Sequence, residues 1–176
     1  MKKHAFRLLA YAAALLAPIF TTAQSSPDLS DPQIAHVAVT ANQIDINTGE
    51  LAISKSNDAD VKKFAQTMID DHKAVIAQAA ALASKLGVTP QDNDLSKKLN
   101  ADAEKAKKEL GSKSSREFDK AYINHEVAYH KAVIQAVRDV LIPQTANQEL
   151  KALLQNVLPA LEAHLHHAEM IQKNFR

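Results

Sequence analysis

The chain has 176 residues, 46% of them apolar, a formal charge of +1 and no cysteine. That length can build one ordinary core, and the missing cysteines exclude disulfides and thiolate metal sites. The near-neutral balance gives no electrostatic reason to seek nucleic acid, and the few aromatics offer no stacking platform for a single strand.

The first residues carry Lys2, Lys3 and Arg7, then an apolar run from Leu8 to Phe20, then small residues with Thr21 and Ala23 at the −3 and −1 positions of a cut. This order predicts a secretory signal peptide over 1–23, since the apolar run is shorter than the ~20 residues that span a bilayer. Its removal takes away three cations and no acid, which turns +1 into −2. A flexible N-terminal segment over 24–31 and a helical domain over 32–176 come next, exported to the periplasm or associated with the outer membrane. No later stretch resembles a membrane span.

The domain reads as helix throughout, because glycine occurs only at 49, 87 and 111 and strong helix formers dominate. Helix one starts at "SDPQIAHV", where Ser30 or Asp31 can cap and Pro32 fits the first turn. Its stripe is Ile34, Val37, Ala41, Ile44, Thr48 and Leu51. Helix two is capped by Asn57 or Asp58 and stops at Gly87, with a stripe of Val61, Ala65, Met68, His72, Val75, Ala79, Leu82 and Leu86. A shorter charged helix spans roughly 94–111, with a thin apolar line of Leu95, Leu99, Ala103 and Leu110. The next long helix starts after "SKSS" and carries Phe118, Tyr122, His125, Tyr129, Ala132, Ala136 and Val140. "IPQTANQ" reads as a turn. The last helix carries Leu150, Leu154, Val157, Leu161, His164, Ala168 and Ile171, with Pro159 inside it as an expected kink. The expected fold is all-α: an antiparallel four-helix bundle with one extra short helix between helices two and three.

Four polar side chains stand on or beside the apolar stripes, one per long helix: Asp45, His72, His130 and His164. Buried polar groups of this kind are either hydrogen-bonded or metal-bound. Asp45 and His72 have a sequence midpoint at 58.5, close to the turn at 56–58, so they belong at one level of a hairpin. His130 and His164 have a midpoint at 147, past the turn expected at 142–146. That predicts a mismatch of six residues in arm length, or ~9 Å. Imidazole nitrogens with a carboxylate suit Zn, Cu or Fe, and bundle interiors are common metal sites. His125, on the stripe, and Glu126 are the reserve ligands. "EAHLHHAE" at 162–169 pairs His164 with His167 and Glu162 with His166 on shared faces. His166 and His167 lie off the stripe and read as surface.

The segments "DINTGELA", "VKKFAQTMIDDHKAV", "REFDKAYINHEVAYHKAV" and "VLPALEAHLHHAEMI" resemble a family of exported bacterial proteins with a ferritin-like helical bundle. That family is catalogued as a domain of unknown function and often labelled as outer-membrane or periplasmic. The resemblance covers about 32–173. It implies a ferritin-like fold, with His72, His130 and His164 at the family's histidine positions. Asp45 falls where the family often has glutamate, one methylene longer.

Ferritin-like di-iron sites use Glu-x-x-His pairs, and no glutamate here lies three residues before a histidine. No di-iron centre is expected; a single transition-metal ion fits the residues better. No glycine-rich phosphate loop, nucleophile elbow or H-E-x-x-H zinc motif occurs. The expected function is therefore metal binding in the cell envelope, without an assigned enzyme activity. The alternative is a non-enzymatic structural or interaction bundle in envelope maintenance or stress tolerance, working through an envelope protein partner.

Overall fold

The computed structural model describes residues 28–175; the expected signal peptide lies outside them. Five helices succeed one another: α1 Asp31–Lys55, α2 Ala59–Leu86, α3 Asp94–Gly111, α4 Ser115–Ala136 and α5 Gln148–Gln172. A π-helical turn, Val137–Leu141, and a short helical turn, Ile142–Gln144, extend α4, and a 3₁₀ turn, Lys173–Phe175, closes α5. Among the described residues there is no strand. None of their helices is long and apolar enough to cross a membrane.

Local chemistry sets the helix ends. Asp58 caps α2, its carboxylate accepting from the backbone N–H of Asp60 and Val61. Gly87 ends it with φ at 64°, a left-handed cap that a side chain would strain. Asn147 caps α5 by accepting from Glu149 and Leu150. Pro159 lies within α5, which runs through it unbroken. Of the segment expected to be flexible, residues 28–31 are described. There Leu29 is buried and its N–H donates to Gln144 Oε1, while Asp31 opens α1 and accepts from the N–H of Ala146 and Asn147.

α1 lies against α2, α3 and α4, and α5 lies against α2 and α4. Cross-contacts give the directions. Gly49 faces Ala65 and Ile69 and, earlier on α1, Asp45 faces His72 later on α2, so the two helices run antiparallel. Lys131–Glu169 and Arg138–Glu162 pair α4 with α5 in opposite senses. Asp71–His164 and Lys85–Glu149 do the same for α2 and α5. α3 runs parallel to α1, since Asn93 Nδ2 donates to Gln33 O at one end and Lys55 Nζ donates to Gly111 O at the other.

Gly49 is where α1 and α2 come closest: a Cβ there would sit 3.0 Å from Ile69 Cγ1 and 3.1 Å from the Ala65 carbonyl oxygen. Two apolar clusters make the core. One gathers Phe64, Met68, Phe118, Tyr122 and Ile171. The other gathers Ile34, Val37, Ile134, Leu150 and Leu154.

α4 departs from its sequence-based expectation in two ways. Its buried face is Phe118, Tyr122, Ile123, Glu126, Val127, His130 and Ile134, not the line through His125 and Tyr129. The helical path also continues to Gln144, so the turn into α5 is 145–147 and not 142–146. Pro143 has no N–H to return to the chain, and Ile142 bonds back five residues to Val137 O. The later turn places its centre within a residue of the His130–His164 midpoint and removes most of the predicted mismatch in level.

Candidate metal centre

Asp45, His72, His130 and His164, one from each long helix, meet between the two apolar clusters. All four are buried, Asp45 and His130 to within 1% of full burial. The ring centroids of His72, His130 and His164 lie 5.9 Å (72–130), 5.4 Å (72–164) and 5.5 Å (130–164) apart. One nitrogen from each of the three rings falls within 4.8 Å of the others. Asp45 Oδ2 stands 3.1 Å from His72 Nε2 and 3.5 Å from His130 Nε2. A tetrahedral ion with ligands at ~2.0–2.2 Å holds its donors ~3.3–3.6 Å apart, so Asp45 already stands at ligand spacing from two rings.

The outer partners fix which nitrogen of each ring carries hydrogen. Asn42 donates its amide N–H to Ala38 O, which leaves its Oδ1 to accept from His72 Nδ1–H at 2.7 Å. His130 Nδ1–H donates to the Glu126 backbone oxygen at 3.0 Å. His164 Nε2–H donates to Asp71 Oδ2 at 2.9 Å. Each neutral imidazole has one N–H, so the other ring nitrogens, His72 Nε2, His130 Nε2 and His164 Nδ1, carry bare lone pairs. Those three nitrogens and both Asp45 oxygens are buried without a hydrogen-bond partner. The centre is thus a set of acceptors with no donor among them. One proton between His72 and Asp45 would satisfy that pair and leave the other two rings unpartnered. A cation satisfies all four.

Electrostatics fit that description. Burial pushes the His130 imidazole down to about 4, against the raising field of Asp45. Burial also lowers His164, opposed by its bond to Asp71. For Asp45, burial acts upward, but the contact with His72 and the fields of the three histidines bring the carboxyl below its ordinary value. Glu126 is fully buried and both its oxygens are unpartnered; burial, then the Asp45 charge, push it well up. It groups with Asp45 and His130, with donor atoms within 4.8 Å of one another, and its Oε2 is 3.6 Å from His130 Nδ1.

The four candidate ligands and the reserve residue Glu126 are therefore brought together. His125 is not: it is half-buried and stacks on Tyr129, 5.7 Å between centroids. His166 is exposed and His167 turns its ring edge to Phe64 at 5.3 Å. Sequence reasoning missed Asn42 and Asp71. Each serves a histidine on another helix, Asn42 on α1 for His72 and Asp71 on α2 for His164, so no local spacing marks them. A ligating histidine almost always gives its second nitrogen to such a partner.

The family model described as a domain of unknown function (DUF4142) matches residues 18–171. The chain belongs to that family. Among curated proteins, none is similar enough in sequence to count as a relative. A solved structure titled "CopM in the Cu(II)-bound form" is similar in fold, with a TM-score of 0.62 and 17% identity over 84% of this chain and 100% of that one. At that identity the likeness establishes the all-α fold alone.

Proposed function

We propose that this DUF4142 protein is exported to the cell envelope and binds one transition-metal ion inside a closed, antiparallel, ferritin-like four-helix bundle. His72 Nε2, His130 Nε2, His164 Nδ1 and Asp45 Oδ2 would hold the ion. Asn42, Asp71 and the Glu126 carbonyl orient the rings. The observation that carries this reading is the acceptor-only centre: three histidines with donor atoms within 4.8 Å of one another, each with a buried unpartnered nitrogen, and Asp45 Oδ2 within 3.5 Å of two of them. Leaving them so costs several kcal/mol of desolvation that a cation recovers. Three imidazoles and a carboxylate with a divalent ion carry +1.

Nitrogen-rich donors of this type suit Cu(II) and Zn(II) more than hard cations. The Cu(II)-bound neighbour of like fold supports trying copper first. When bound, the ion would supply Lewis acidity or, as copper, a redox couple. Export rests on the leader-like N-terminus, with the leader ending near Ala23.

Metal analysis of the full chain purified from its export compartment tests the proposal. About one equivalent of metal is expected, lost in His72→Ala. Adding Cu(II) or Zn(II) to stripped protein at ~100 times its Kd should stabilise it by ~2.7 kcal/mol, or roughly 5–10 °C for a domain of this size. A chain that carries no metal and whose melting temperature ignores copper, zinc and iron overturns the reading. The non-enzymatic interaction bundle is then what is left.

A further inference from the structure

Beyond the histidines, α2 stops burying its residues: none of positions 73–86 is buried, although Val75, Ala79, Leu82 and Leu86 continue the stripe. They face a hollow of about 700 Å³, completed by Leu154 and Val157 of α5 and by residues of α1, α3 and α4. The α2–α5 seam is tied at its ends by the Asp71–His164 hydrogen bond and the Lys85–Glu149 ion pair, and the apolar stretch between them borders the hollow. From His72 to Leu86 the hollow tracks α2 for ~21 Å. Volume and lining are those of a small-molecule site, apolar with a few convergent polar groups.

The buried polar groups are at one end. Asp45, His72, His130 and His164 all line the hollow. Three of them present an unpartnered ring nitrogen, fixed as an acceptor by the tautomers above. A ligand head placed there must donate a hydrogen bond. It must also be uncharged or cationic, because a second anion beside the buried Asp45 carboxylate is repelled at low dielectric. Of the two, an uncharged donor head costs far less to take out of water than an organic cation does.

We propose that this hollow binds a single-chain apolar molecule of acyl-chain length with an uncharged hydroxyl head, the head donating its one O–H to the free nitrogen of His164. The inference does not depend on the metal reading, and the test uses metal-stripped full-length protein. The probe is N-phenyl-1-naphthylamine, an uncharged apolar fluorophore, displaced by dodecanol or by dodecanoate at neutral pH. Saturable one-to-one fluorescence is expected, with dodecanol the better competitor by about tenfold, the value of one well-placed charge or hydrogen-bond difference. Ala79→Trp fills the middle of the hollow without touching the histidines and should abolish probe binding. Should that variant not fold, the wild-type protein still decides, because dodecanol must raise its melting temperature if it binds the native state. Fluorescence that never saturates, an unmoved melting temperature, or equal competition by alcohol and carboxylate overturns the proposal. If stoichiometric copper binding persists in that case, the metal reading stands by itself.

Discussion

Asn42 shows how much of the centre depends on residues that would never touch an ion. It donates to Ala38 O and accepts from His72 Nδ1–H, which turns His72 Nε2 inward as a lone pair. Asn42→Leu removes the acceptor and frees the ring to rotate. Metal affinity, measured by chelator competition, should fall about 10- to 100-fold with little change in helix content. An unchanged affinity would mean that packing alone orients the ring. Glu126 and His130 make a second prediction, for metal-free protein, in which their signs oppose. His130 falls from 6.5 to about 4 on folding, so the unfolded chain takes its proton first. Stability is then lost as pH drops from 6.5 towards 4, by roughly 3 kcal/mol at most. Glu126 is raised above 4.5, so the folded chain keeps a proton that the unfolded chain releases, and stability is lost as pH rises. Glu126→Gln removes the second effect only. Calorimetry should find the variant more stable than wild type near pH 8 and level with it near pH 4. Equal curves at both ends would mean that Glu126 is ionised in the fold.

At the scale of the helices, Gly49 makes the sharpest prediction. Alanine improves helix propensity by ~1 kcal/mol, but its methyl group would meet Ile69 and the Ala65 carbonyl at 3.0 and 3.1 Å. Backbone cannot yield as a side-chain tip can, so overpacking should win and Gly49→Ala should destabilise by about 1–2 kcal/mol. A raised melting temperature would show that α1 and α2 can part at no cost. The elements also show what the sequence makes readable. Helix ends were legible because their chemistry is local: Asp58 caps and Gly87 terminates whatever packs nearby. His72 and His164 were legible because α2 and α5 each carry one dominant stripe. α4 was misread because it has two apolar faces. One, through Ile123, Val127 and Ile134, is buried. The other, through His125 and Tyr129, is half-buried, and Tyr129 O–H reaches across to Ala41 O. Both faces step by three and four, so periodicity cannot rank them. Only the position of α3, lying against both α1 and α4, accounts for the second.

For the whole molecule, the convergence of positions 45, 72, 130 and 164 was half legible. The first hairpin is regular, and midpoint arithmetic places Asp45 with His72. The second hairpin hides an irregular turn, and the same arithmetic predicts a gap of ~9 Å between rings whose centroids stand 5.5 Å apart. The hollow was not legible at all. "AVIAQAAALASKL" has the same pattern whether its small side chains pack closely or leave space, since pattern reports which face is apolar and not what fills it. A His164→Ala variant joins both scales. It removes one ligand and the Asp71 tie on the α2–α5 seam. It should therefore lose the copper-induced rise in melting temperature and also open the seam, seen as faster amide exchange in α2 beyond residue 72.

The π turn at Val137–Leu141 has a consequence for how this chain can vary. Each residue added to or taken from a helix rotates the downstream segment by about 100° and shifts it ~1.5 Å. The wide turn absorbs that step locally, between His130 and the start of α5. A chain one residue shorter at this point would bring α5 in at another angle and carry His164 away from its partners. Insertions and deletions among related sequences should accordingly collect at 87–93 and 112–114, where the backbone is not helical throughout, and be purged from the interval that sets the spacing of the two histidines.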